Sequence, residues 1–126
     1  MKGSPYDLLP LWLATLCQGN PKAMLSLYDP KALLVATYGQ TIKKGHRQLL
    51  GYFRTFMAKK DLCGKIDSQH FQRVGKNLLL NSGLYTFSWL DDQGQLQSVT
   101  ARFSFVYKRN LWGKWKIMNH HSSVLP

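Results

Sequence analysis

Two histidines and two serines stand in a row near the C-terminus, His120-His121-Ser122-Ser123, directly after Trp115-Lys116-Ile117-Met118-Asn119. Imidazole is the side chain whose ordinary pKa, near 6.5, suits proton transfer at neutral pH, and a neighbouring hydroxyl can orient a water or an anion. Strand residues alternate between faces. Regular alternation therefore puts Trp115, Ile117, Asn119, His121, Ser123 and Leu125 on one face and Lys116, Met118, His120 and Ser122 on the other. The first set begins apolar and is read as the inner face. On that reading Asn119, His121 and Ser123 enter the interior, where an unpaired polar group costs about 1–3 kcal/mol. The plainer possibility is that His121 and Ser123 only satisfy each other. His120 then faces outward, to a sheet surface or a subunit contact, and a metal shared by His120 and His121 is disfavoured because adjacent strand side chains point oppositely.

The acids are few. Six Asp and no Glu oppose 17 Lys and Arg, giving a formal charge of +11 and a pI near 9.9. Few carboxylates are on hand for an acid–base pair or a hard-metal site. This counts against isomerase-type proton abstraction unless Asp67 proves internal. The cations are scattered and form no stripe, so nucleic acid is not an expected partner. No apolar run reaches the roughly 20 residues of a membrane span, and no membrane partner is expected. The N-terminus has no apolar leader, which reads as a cytoplasmic chain, or a periplasmic one if a signal peptide has been trimmed. Cys17 and Cys63 lack metal-ligand spacing and are read as reduced core or surface thiols.

The elements that must position the tail follow from periodicity. Leu9, Trp12, Leu13 and Leu16 recur at helical spacing after the candidate caps Ser4 and Asp7, and Gly19 ends the run. Asn20-Pro21 opens a second helix that carries Met24, Leu25 and Tyr28 inward until Asp29-Pro30 stops it. Residues 32–37 read as a first strand, and residues 46–60 as a third helix with Leu49, Leu50, Phe53, Phe56 and Met57 on one stripe. The rest is strand-rich: residues 65–74, two bursts within 77–90, a turn at 91–94, a long strand at 96–109 and the closing strand. Phe103 and Phe105 point inward on the long strand. His46 and His70 have no evident partner and are read as structural.

Helices followed by long strands give a single α+β domain over residues 1–126, a curved antiparallel sheet wrapped around N-terminal helices. The segments GHRQLLGYFRTF (45–56), NSGLYTF (81–87), TARFSFVY (100–107) and WKIMNHHSSVLP (115–126) resemble the cone-shaped SnoaL-like superfamily. That is the fold of nuclear transport factor and of the calcium/calmodulin-dependent kinase association domain. The tail resembles most the iota-class carbonic anhydrase group, whose His-His-His-Ser-Ser run has Asn119 here in place of its first His.

That resemblance implies reversible hydration of carbon dioxide to bicarbonate. It assigns catalytic roles to His121 (general base), Ser123, Tyr52 and Thr37, with Asn119, Phe103 and Phe105 at the substrate. Losing the first His tilts the expectation towards metal-free chemistry with no cofactor. The partners implied are carbon dioxide, bicarbonate or another small anion, and a second copy of the chain in a homodimer or higher homo-oligomer. The alternative is a non-enzymatic ligand-binding or oligomerisation module of the association-domain type. An enzyme of the same fold acting on a polar organic substrate is a third.

Overall fold

A computed structural model describes residues 3–126. Ser4 accepts a bond from the Tyr6 N–H and opens a single 3-10 turn, Pro5–Asp7, that leads into α1, Leu8–Gln18. Leu8, Leu9, Trp12, Leu13 and Leu16 bury the inner side of α1. Gly19 ends it in the left-handed region, φ 71°, its N–H donating to the Leu16 carbonyl, a conformation glycine adopts without penalty. Asn20 caps the short α2, Pro21–Leu25, through the Ala23 N–H. A later helix, α3, Gly45–Phe56, buries Leu49, Phe53 and Phe56 on one stripe.

Six strands form one sheet: β1 Tyr28–Val35, β2 Lys43–Lys44, β3 Lys60–Arg73, β4 Leu78–Leu90, β5 Leu96–Arg109 and β6 Trp115–Val124, in the order β2-β1-β6-β5-β4-β3. The α+β architecture matches the expectation in outline. The sheet is mixed, however, because β1 runs parallel to β6. Tyr28 belongs to β1, not to α2: the chain leaves the helix at Leu25, and Asp29-Pro30 falls inside an irregular stretch of the strand. The apolar bursts on either side of Asn81 are one strand, β4. Gly83 is required in it, since a Cβ there would overlap the Ser68 carbonyl.

All the helices lie on one face of the sheet, α1 against β3 and α3 against β1, and close the core over Tyr85, Phe87, Phe103, Phe105 and Ile117. Cys17, at the end of α1, and Cys63, on β3, form a disulfide that ties these two elements. The expectation of two reduced thiols is thereby corrected. The cysteines are 46 residues apart in sequence, and only the packing of α1 on β3 makes them neighbours.

Candidate functional site

The closing strand does not alternate regularly. Tyr107 pairs with Ile117 but Val106 pairs with Asn119, so β6 carries one more residue than β5 between these pairs. This is a β-bulge, and past it every side chain changes face. Ile117 is buried, as expected, but so are His120 and Ser122, at 2% and 4% exposure. His121 is exposed, and Asn119 and Ser123 are half-buried on the outer face. The inward trio Asn119, His121 and Ser123 is therefore corrected to an inward pair, His120 and Ser122. The same bulge removes Asn119 from the proposed substrate contacts. His121 and Ser123 lie outside with Arg102, whose Nε donates to Ser123 Oγ at 3.2 Å.

Inside, His120 stands at the middle of a hydrogen-bonded chain. Trp12 Nε1 donates to Tyr28 Oη at 2.9 Å; Tyr28 Oη lies 2.8 Å from His120 Nδ1, and Tyr85 Oη lies 3.0 Å from His120 Nε2. The indole only donates, so the Tyr28 oxygen accepts from it, and His120 Nδ1 is the acceptor within reach of the buried Tyr28 proton, whereas Tyr85 also has Ser122 beside it. Nε2 then carries the imidazole proton and donates to Tyr85. The network itself assigns this tautomer. The Ser122 hydroxyl lies beside Tyr85, and Ser122 Oγ is 2.5 Å from Thr37 Oγ1. The chain thus runs Trp12, Tyr28, His120, Tyr85, Ser122, Thr37, from the core beneath α1 to the end of β1.

Burial sets the electrostatics. His120 is pushed down to about 3, by desolvation first and by nearby His121 second, so the ring is neutral at neutral pH. Burial raises Tyr28, Tyr52 and Tyr85 well above the ordinary phenol value; for Tyr85 the Ser122 hydroxyl opposes part of the rise. The ring of Phe105 stacks on His120 with centroids 4.0 Å apart, and Phe103 packs against Tyr85. Both phenylalanines hold site residues in place from the core.

A cavity of about 10 Å³ lies beside this chain, lined by Thr37, Tyr52, Tyr85, His120 and Ser122 together with Trp12, Phe53 and Phe56. That is about the smallest space that holds a water molecule. Thr37 and Tyr52, the positions the resemblance offered, are half-buried and line this cavity. Tyr28, Tyr85 and Trp12 were missed, although a polar-tipped aromatic among inward positions is a signal, because a buried phenol or indole needs a partner. No Asp lines the cavity, and Asp67 instead accepts from Thr86 at the sheet surface. Away from this chain, the buried amide of Asn81 donates to Gln69 and Tyr107, while its Oδ1 has no partner among the described residues. His46 bonds the Tyr28 carbonyl and pins α3 to β1, in keeping with a structural role. No three His, Cys or Asp side chains gather in metal-binding distance among the described residues.

Comparisons with known proteins place this architecture. Residues 6–126 match the family profile of the calcium/calmodulin dependent protein kinase II association domain. A Xanthomonas campestris structure described by that same domain name is 34% identical with a TM-score of 0.90, over 96% of this chain and 85% of its own. A nuclear transport factor 2-like protein of Salmonella enterica shares 21% identity at a TM-score of 0.84, covering 95% of this chain and 87% of that one. The CamKII hub homology domain of Chlamydomonas reinhardtii shares 16% at 0.77, with 96% and 95% covered, and supports the fold alone. No curated protein matches the chain. With nearly the whole length matched, the chain belongs to the calcium/calmodulin dependent protein kinase II association domain family.

Proposed function

We propose that the protein is a self-associating module in which the outer face of β4–β6 meets a second copy. The observation that carries this reading is a set of half-buried apolar side chains, Leu78, Leu80, Leu84, Val106 and Met118, on the sheet face that no helix covers. A sheet face turned to water normally alternates to polar residues; these positions leave hydrocarbon there. Relatives named for association and hub domains favour the same use of the fold. Sedimentation equilibrium on the purified chain should give a dimer or larger assembly, and Leu80→Asp with Val106→Asp should give a folded monomer. A wild-type chain that stays monomeric at micromolar concentration removes the reading.

A second reading is favoured by the inner hydrogen-bond chain, which ends on a space fit for one water. In carbon dioxide hydration the water oxygen bonds to carbon, one of its protons departs, and bicarbonate leaves. Thr37, Ser122 and Tyr52 supply hydroxyls for the water and the developing anion, and His120 and Ser122 take the positions first assigned to His121 and Ser123. Neutral His120 has both ring nitrogens engaged, so the site orients a water better than it deprotonates one. That ranks this reading second. Stopped-flow hydration in the presence of chelator, with Ser122→Ala and His121→Ala as inner and outer controls, tests it. Activity absent under every metal condition rejects it.

The Cys17–Cys63 bond supports an oxidising compartment over the cytoplasm. Among the described residues no helix is long and apolar enough to cross a membrane. Intact mass before and after thiol alkylation checks the bond in protein taken from its native host.

A further inference from the structure

The β3–β4 and β5–β6 turns lie side by side at one end of the sheet, where the Arg109 N–H donates to the Asn77 carbonyl at 2.9 Å. At the tip of the second turn Leu111 is 98% exposed and Trp112 72%, and Val74 on the first is 52% exposed. These side chains are held out, not left loose. The Asn110 carboxamide accepts from the backbone N–H groups of Trp112 and Lys114 at 3.0 and 2.9 Å, and Gly113, at φ 74°, returns its N–H to the Asn110 carbonyl. Lys76, Lys108, Arg109 and Lys114 stand exposed around the tip, and none has an acidic partner among the described residues. The sequence has no acid between Asp67 and Asp91, and none after Asp92. A mostly apolar groove of about 450 Å³ between Leu8, Leu11 and Trp115 continues the surface onto α1, with Lys114, Lys116 and one acid, Asp7, on its lining.

We infer that this end docks on the surface of an anionic lipid bilayer, with Leu111 and Trp112 entering the boundary between headgroups and acyl chains. An indole favours that boundary, and an aliphatic side chain gains only from hydrocarbon. Each Lys or Arg held near an anionic leaflet strengthens binding by about fivefold, the equivalent of about 1 kcal/mol. A nucleic acid would satisfy the cations but offers nothing to Leu111 or Val74. At the opposite end of the sheet Asp91 and Asp92 of the β4–β5 turn lie beside Lys59 and Lys60 and offset them, so the unmatched cations of the tip favour the orientation with the basic tip down. The absence of a spanning helix bears on insertion and not on this kind of contact. The inference revises the expectation that no membrane takes part, and it does not depend on self-association.

Co-sedimentation of the full chain with vesicles of phosphatidylcholine, alone or with about one third phosphatidylglycerol, tests it. Binding should be at least about tenfold stronger to the anionic vesicles and weaken on raising salt from about 0.1 to 0.5 M. Leu111→Ser with Trp112→Ser should lose about tenfold with the melting temperature unchanged. Lys108→Gln with Lys114→Gln should lose a similar factor or more. Equal binding to both vesicles overturns the inference. So does undiminished binding by the Leu111/Trp112 variant, or binding to a short DNA duplex with none to vesicles.

Discussion

The two faces of β6 carry the same chemistry one residue apart. His120 and Ser122 look into the core and His121 and Ser123 look out of it, yet their surroundings share almost nothing. The inner ring has a phenol on each nitrogen, an aromatic stacked on it and almost no exposure. The outer ring lies in a shallow groove beside Arg102 and Ser104. Residue type alone therefore says little about a histidine's use. The difference is set by which pleat it occupies, and that is decided just upstream, at the Met118 bulge.

The contrast can be broken most directly by truncating each ring. His120→Ala should lower unfolding stability by about 3–5 kcal/mol, since it opens a cavity and strands two buried phenols. His121→Ala should stay within about 0.5 kcal/mol. Equal losses, in chemical denaturation at one fixed protein concentration, would put the bulge in doubt.

Acid should expose the inner ring next. Its folded value of about 3 lies below the unfolded value near 6.5, so the unfolded chain binds a proton that the fold refuses. The contribution is fully present above pH 6.5 and is lost as pH falls towards 3, by about 3 kcal/mol between pH 6.5 and 4. His120→Gln should flatten that slope in melts across this range. A wild-type slope in the variant would locate the acid sensitivity elsewhere.

Smaller effects separate the serines. Ser122→Ala should cost about 1–2 kcal/mol by unpairing Thr37 and removing a partner of Tyr85, while Ser123→Ala should cost under about 0.5. Thr37→Val should be non-additive with Ser122→Ala in a double-mutant cycle, because the two share one bond.

Much of this architecture was legible in the residues. Gly19, Asn20-Pro21 and the Leu49, Phe53, Phe56 stripe each state a local preference that the fold obeys, and the turn at residues 91–94 joins two strands that alternate cleanly. The site was half legible. Thr37 and Tyr52 both line the small cavity beside His120. The inner face of β6 was misread because alternation assumes one residue per pleat, and a bulge adds a residue with no glycine or proline to mark it. The one trace was Ile117 followed directly by Met118, two apolar residues where an alternating strand should have one. Tyr28 was lost to the helix before it, since Asp29-Pro30 reads locally as a stop. The disulfide could not be read at all, because it depends on α1 lying across β3.

The bulge at Met118 has a consequence for how such a chain can change over generations. A point substitution alters one side chain and leaves its neighbours facing as before. Loss of the Met118 codon would restore strict alternation and leave both His–Ser pairs on their present faces, since Asn119 would then follow Ile117 and still pair with Val106. Only a one-residue slip of the tail along β5, with no residue lost, would exchange the hidden pair for the exposed one. The doubled run His-His-Ser-Ser reads almost the same in either frame. A chain without the extra residue would therefore keep the same histidine inside, and an alignment with its gap anywhere but at Met118 would match the wrong histidines.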